Sequence, residues 1–125
     1  MITATYAALL ALWLVFLSMR VIALRGNPMF AFLAFGRRDD TSLERAIRAH
    51  GNLAEYAPTM LILLYLLEQG GATGAVLQGL GAAFLAGRIL HGVCFGFMRE
   101  RLPLRIGGTV LTLSPILIAA ILLLT

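Results

Sequence analysis

The stretch MITATYAALLALWLVFLSM, residues 1–19, decides the fold class. Only Thr3, Thr5 and Ser18 interrupt its apolar character. A helix needs about 20 mostly apolar residues to cross the hydrocarbon of a bilayer. The run has no basic start and no small-residue cleavage site, and it is long for the core of a signal peptide, so it reads as a retained helix continuing to about residue 24. Asn27-Pro28 then breaks it.

Three more helices are expected. Residues 29–42 read as a polar connection containing Arg37-Arg38 and Asp39-Asp40. Thr41 or Ser42 is suited to cap a second helix over 43–68, with Glu44 in its first turn. The first third of that helix is charged and the rest apolar, so it should start outside the hydrocarbon and enter it, with a kink at Pro58. Gln69-Gly70-Gly71 makes a turn into a third helix over 73–98. There Gly79, Ala83 and Gly87 recur at steps of four, followed by Gly92 and Gly96. Small residues so spaced let helices approach closely in a membrane. Arg99-Glu100-Arg101 and Pro103 connect to a fourth helix over 104–124. The expectation is an all-α integral membrane four-helix bundle, one domain over residues 1–125.

Composition agrees. Of 125 residues, 60% are hydrophobic and 13% charged, against roughly half and a quarter in soluble domains. A soluble chain this short could not bury so much apolar surface. All ten basic residues are Arg. The pI of about 10.2 raises the question of nucleic acid, but the Arg residues other than Arg88 sit at the ends of apolar runs. That placement suits lipid headgroups and topology, so the lipid bilayer is the expected partner and nucleic acid is not. Cys94 is the single cysteine, which excludes an internal disulfide. Arg20, Arg25, Arg37, Arg38, Arg45 and Arg48 surround the first connection, and Arg99, Arg101 and Arg105 the third. The second turn and the termini have none, so both Arg-rich connections are expected in the cytoplasm and both termini outside it.

The polar chemistry concentrates in Arg45-Ala46-Ile47-Arg48-Ala49-His50-Gly51-Asn52-Leu53-Ala54-Glu55-Tyr56-Ala57-Pro58. Arg48, Asn52, Glu55 and Tyr56 stand at i, i+4, i+7 and i+8, with Arg45 one turn earlier, so a helix presents them on one face. Glu55 inside a span needs a partner, and Arg48 is the nearest candidate on that face. One reading is an ion pair that fixes helix packing. The other is a binding site for an anionic or zwitterionic ligand: Arg forks onto carboxylates, Asn donates and accepts, Glu receives an ammonium group. A second set, Arg88, His91 and Phe95, lies on the third helix. His50 falls on a different helix from His91, so no metal site is expected. Arg20 and Arg105 should lie at the depth of Arg48, which gathers a cationic pocket with one carboxylate at one end of the bundle.

These residues resemble the MAPEG superfamily, the membrane-associated proteins in eicosanoid and glutathione metabolism. The likeness is carried by Glu44-Arg45-Ala46-Ile47-Arg48-Ala49-His50-Gly51-Asn52 with Glu55-Tyr56-Ala57-Pro58, by Asn27-Pro28 and by Gly87-Arg88-Ile89-Leu90-His91. It covers essentially the whole chain and is closest to small bacterial members. The resemblance implies a homotrimer in the bacterial inner membrane, with glutathione between neighbouring subunits near the cytoplasmic side. It further implies that Arg48, Asn52, Glu55, Tyr56 and His91 hold glutathione, that Arg20 reaches its carboxylates, and that Arg105 is the catalytic residue that stabilises the thiolate. Phe95 stands where several members of the superfamily have Tyr, Thr109 stands near another Tyr position, and Gly51 stands where some have a basic residue.

The expected activity is a glutathione-dependent transferase or peroxidase acting on a lipophilic small molecule. The alternative is a non-catalytic lipid-binding or partner-binding membrane protein of the same superfamily. A small multidrug transporter would need a carboxylate in the first helix, and residues 1–24 contain no Asp or Glu.

Overall fold

A computed structural model describes residues 1–35, 41–97 and 102–125. The expected charge pairs Arg37-Arg38 and Asp39-Asp40, and Arg99, Glu100 and Arg101, lie outside the described residues.

The described chain is all-helical. It contains four long α-helices, α1 (Ile2–Leu24), α2 (Ser42–Gln69), α3 (Gly74–Gly96) and α4 (Leu102–Leu124). A 3₁₀ helix, Pro28–Leu33, follows α1, which brings the helices to five among the described residues, one beyond the four expected. It falls where a polar connection is expected. Its residues Pro28-Met29-Phe30-Ala31-Phe32-Leu33 are apolar but too few to carry a helical period. The Asn27 side chain accepts a hydrogen bond from the Met29 N–H at 2.9 Å, and Pro28 sits at the first helical position. Just before it, Gly26 adopts φ +92°, which turns the chain out of α1.

α1, α3 and α4 are each long and apolar enough to cross a membrane. α2 is longer than these but carries Glu44, Arg45, Arg48, His50, Asn52 and Glu55 in its first half, and it does not reach the same hydropathy. Pro58 lies within α2 and Pro115 within α4, and both helices continue through them. Two caps fix the ends far from the charged half. The Glu68 carboxylate accepts the Ile2 and Thr3 N–H groups at 2.6 and 2.9 Å, which satisfies orphan donors at the start of α1. Thr73 caps α3 through Val76 N–H.

α2 and α3 form the centre, each touching both other long helices, while α1 and α4 lie on opposite sides and do not touch. The core joins Tyr6, Leu10 and Leu17 to Leu53, Met60, Leu64, Phe84 and Ala119. Leu12, Val15, Val110, Leu117 and Ile121 stay exposed, as side chains destined for lipid do.

Close approach uses part of the expected small-residue series: Gly87 and Gly92 serve it, and Gly79 does not. A Cβ on Gly87 would lie 2.8 Å from the Leu111 backbone carbon, and one on Gly108 3.2 Å from His91 N, so α3 and α4 meet along these two. Gly81 and Gly92 admit the rings of Tyr6 and Trp13 from α1. Gly79 has open space in front of it, because α3 turns that face outward.

Candidate functional site

At the charged end, α2, α3 and α4 diverge around an open cavity of about 540 Å³. α2 supplies Ile47, Arg48, Gly51, Asn52 and Glu55, which the helical period places on one face. His91 and Phe95, one turn apart on α3, stack at 4.5 Å between ring centroids and form a second wall. Arg105 and Thr109, one turn apart on α4, form the third. The Arg105 guanidinium lies 5.9 Å from the centre of the Phe95 ring. The lining therefore carries two guanidinium groups, one carboxylate, one amide and one imidazole.

Beneath it lies a smaller cavity of about 50 Å³, which shares Asn52, His91 and Thr109 with the first. Tyr56, Arg88, Thr112 and Leu113 complete it. Arg88 is 2% exposed and donates from Nη2 to Asn52 Oδ1 at 2.6 Å. Its guanidinium carbon lies 5.7 Å from the centre of the Tyr56 ring. Arg has donors only, so the Asn52 oxygen must face Arg88, and the amide NH₂ remains for other partners. Sequence reasoning keeps Arg88 and the Arg48 set apart. The available signal is the lone Arg in an apolar run, which requires a buried partner on another helix.

Of the candidate residues, Arg48, Asn52, Glu55, His91 and Arg105 line the wide cavity, and Tyr56 lines the small one. Arg20 lies elsewhere. It is 2% exposed, donates to the carbonyls of Leu33, Phe35 and Gly96, and lies against the Phe35 and Phe97 rings, which stack on each other. There it ties the end of α3 to α1 and the 3₁₀ helix. Arg45 likewise turns to α3 and donates to Cys94 O at 3.0 Å, away from the face shared by Arg48 and Asn52.

The expected pairing of Arg48 with Glu55 does not form. Arg48 pairs with Glu44 at 3.4 Å, one turn earlier, and both side chains are about two-thirds exposed. Glu55 stands two turns further on, a rise of about 10 Å, and the closer i−4 carboxylate wins. Among the described residues no ion pair engages Glu55, which is exposed at the cavity edge. No group of His, Cys, Asp and Glu among the described residues has the arrangement of a metal site.

The MAPEG family profile matches residues 3–125. Inner membrane protein YecN of Escherichia coli K12 is 38% identical over 91 residues, covering 73% of this chain and 67% of that protein. Inner membrane protein YecN of Escherichia coli O6:H1 matches with the same identity and coverage. No solved structure matches.

Proposed function

This chain belongs to the MAPEG family, and from that premise we propose that it is a membrane-embedded glutathione-dependent transferase or peroxidase of lipophilic electrophiles. The observation that carries the reading is the shared cavity of Arg48, Asn52, Glu55, His91 and Arg105. Glutathione has two carboxylates, an ammonium group, amides and a thiol. Arg48 and the Asn52 NH₂ are suited to carboxylate oxygens, and Glu55 to the ammonium group. Arg105 takes the role of stabilising a thiolate. A thiol attacks as its anion, and an adjacent guanidinium favours that form, each pKa unit being worth about 1.4 kcal/mol.

In this proposal α2 crosses the bilayer beside α1, α3 and α4. Its 28 residues span about 42 Å, more than the roughly 30 Å of hydrocarbon, so its charged first turns project beyond it. The site opens at the cytoplasmic side of the inner membrane, with both termini outside the cytoplasm, as the Arg distribution favours. The protein is a homotrimer, and a neighbouring subunit covers the open cavity. The apolar groove of about 340 Å³ between α1 and α2, lined by Leu10, Leu14, Leu53 and Leu61, gives a lipophilic substrate a path from the lipid.

A second reading, a non-catalytic lipid-binding or partner-binding protein, is favoured by Phe95 and Thr109. Both line the cavity, Phe95 where the family resemblance implies a Tyr hydroxyl and Thr109 near another such position. Detergent-purified protein incubated with glutathione and a generic aryl halide or hydroperoxide distinguishes the two. Turnover that disappears in Arg105→Ala supports the enzyme. Absence of turnover, with a lipid co-purifying in place of glutathione, supports the second reading.

A further inference from the structure

We propose that the small cavity beside Arg88 is a binding site for a single monoatomic anion, with chloride as its natural occupant. Arg88 is a permanently charged group, 2% exposed, in the middle of α3. Its hydrogen-bonding partner is the neutral Asn52 oxygen, and its neighbour is the face of Tyr56. Its Nε, which carries an N–H, is buried without a hydrogen-bond partner, as is His91 Nδ1. Among the described residues no carboxylate pairs with Arg88, and Glu55 remains at the edge of the wide cavity. A buried charge left without a counter-charge is strongly disfavoured.

The cavity supplies what an anion requires. It lies against Arg88 and is lined by Asn52, Tyr56, His91, Thr109, Thr112 and Leu113, with no Asp or Glu. The Asn52 oxygen is already taken by Arg88, so its NH₂ group is the part left to donate, and the Tyr56 hydroxyl is a second donor. The Thr109 and Thr112 hydroxyl hydrogens are spent on Arg105 O and Gly108 O. The donor set is thus Arg88 Nε–H, Asn52 NH₂ and Tyr56 O–H around one positive charge. Its volume of about 50 Å³ gives room for an ion of the size of a halide. An ion enters from the wide cavity, with which the small one shares Asn52, His91 and Thr109. This site does not depend on the glutathione reading.

The test is thermal unfolding of the detergent-purified protein in sodium chloride, bromide, gluconate and formate at equal ionic strength. The site predicts a melting temperature several degrees higher in both halides than in gluconate. Arg88→Met should lose the halide dependence. Asn52→Asp places a carboxylate against Arg88 inside the protein, so it should melt in gluconate near the wild-type value in chloride and no longer respond to halide. That variant keeps the test decisive if Arg88→Met does not fold. Bromide-grown crystals should show an anomalous peak within hydrogen-bonding reach of Arg88 Nε. Equal melting in chloride and gluconate, stabilisation by formate alone, or a halide response that survives in Asn52→Asp overturns the proposal.

Discussion

Arg88 on α3 donates to Asn52 Oδ1 on α2 at 2.6 Å, and this bond joins the two polar sets that lie 36 residues apart in the chain. It holds Asn52 with its oxygen inward and its NH₂ free. Replacing Asn52 by Leu leaves a buried guanidinium without its acceptor. The expected loss is about 2 kcal/mol, the range for a hydrogen bond to a charged group, read as a lower melting temperature in detergent.

Gly87 and Gly79 differ in what they face, although they share a helix and a four-residue step. Gly87→Ala drives a Cβ into the Leu111 backbone, and Pro115 removes the helical bond that would otherwise hold the Leu111 carbonyl. It should cost about 1–3 kcal/mol, the range for overpacking. Gly79→Ala meets open space and should be neutral or stabilise by up to about 1 kcal/mol through helix propensity. Comparing the two variants in one melting experiment tests the α3–α4 packing.

Arg20 and Arg48 should separate stability from binding. Arg20→Met removes donors from three carbonyl groups and should destabilise by about 3 kcal/mol, a charged hydrogen bond being worth up to that much. Arg48→Ala breaks an exposed pair with Glu44 and should change stability by less than about 1 kcal/mol while weakening glutathione binding. Melting curves and glutathione titrations on both variants check this.

Much of the fold is legible because polarity changes abruptly along the chain. Asn27-Pro28 and Gln69-Gly70-Gly71 punctuate apolar runs, so helix ends expected at 24 and 68 fall within a residue of Leu24 and Gln69. The 3₁₀ helix Pro28–Leu33 is not legible, since six apolar residues have no period to read. In the candidate site, helical spacing puts Arg48, Asn52 and Glu55 on one face, and all three line the wide cavity because they share one element. Choices between elements escape it. Spacing cannot say that Arg48 turns back to Glu44, that Arg45 and Arg20 serve the end of α3, or that Asn52 answers Arg88.

Phe95 stacks on His91 at the cavity wall. Phe95→Tyr adds a hydroxyl at that wall, and a new neutral hydrogen bond of about 1 kcal/mol should tighten glutathione roughly fivefold. Isothermal titration measures the change.

Arg105→Ala should act on chemistry rather than folding. Without the guanidinium a bound thiol ionises less readily, so kcat/KM at neutral pH should fall at least about tenfold, one pKa unit or more. The rise of rate with pH should move to higher pH, because more hydroxide is then needed to form the thiolate. A pH–rate profile of the two proteins reads both effects.

The most direct measurement is calorimetric titration of glutathione into the detergent-purified protein, alongside Arg48→Ala. The account predicts saturable binding by the wild type and at least tenfold weaker binding by the variant, about 1.4 kcal/mol. A wild-type protein that gives no binding heat while remaining folded, or a variant that binds as tightly as wild type, would contradict it.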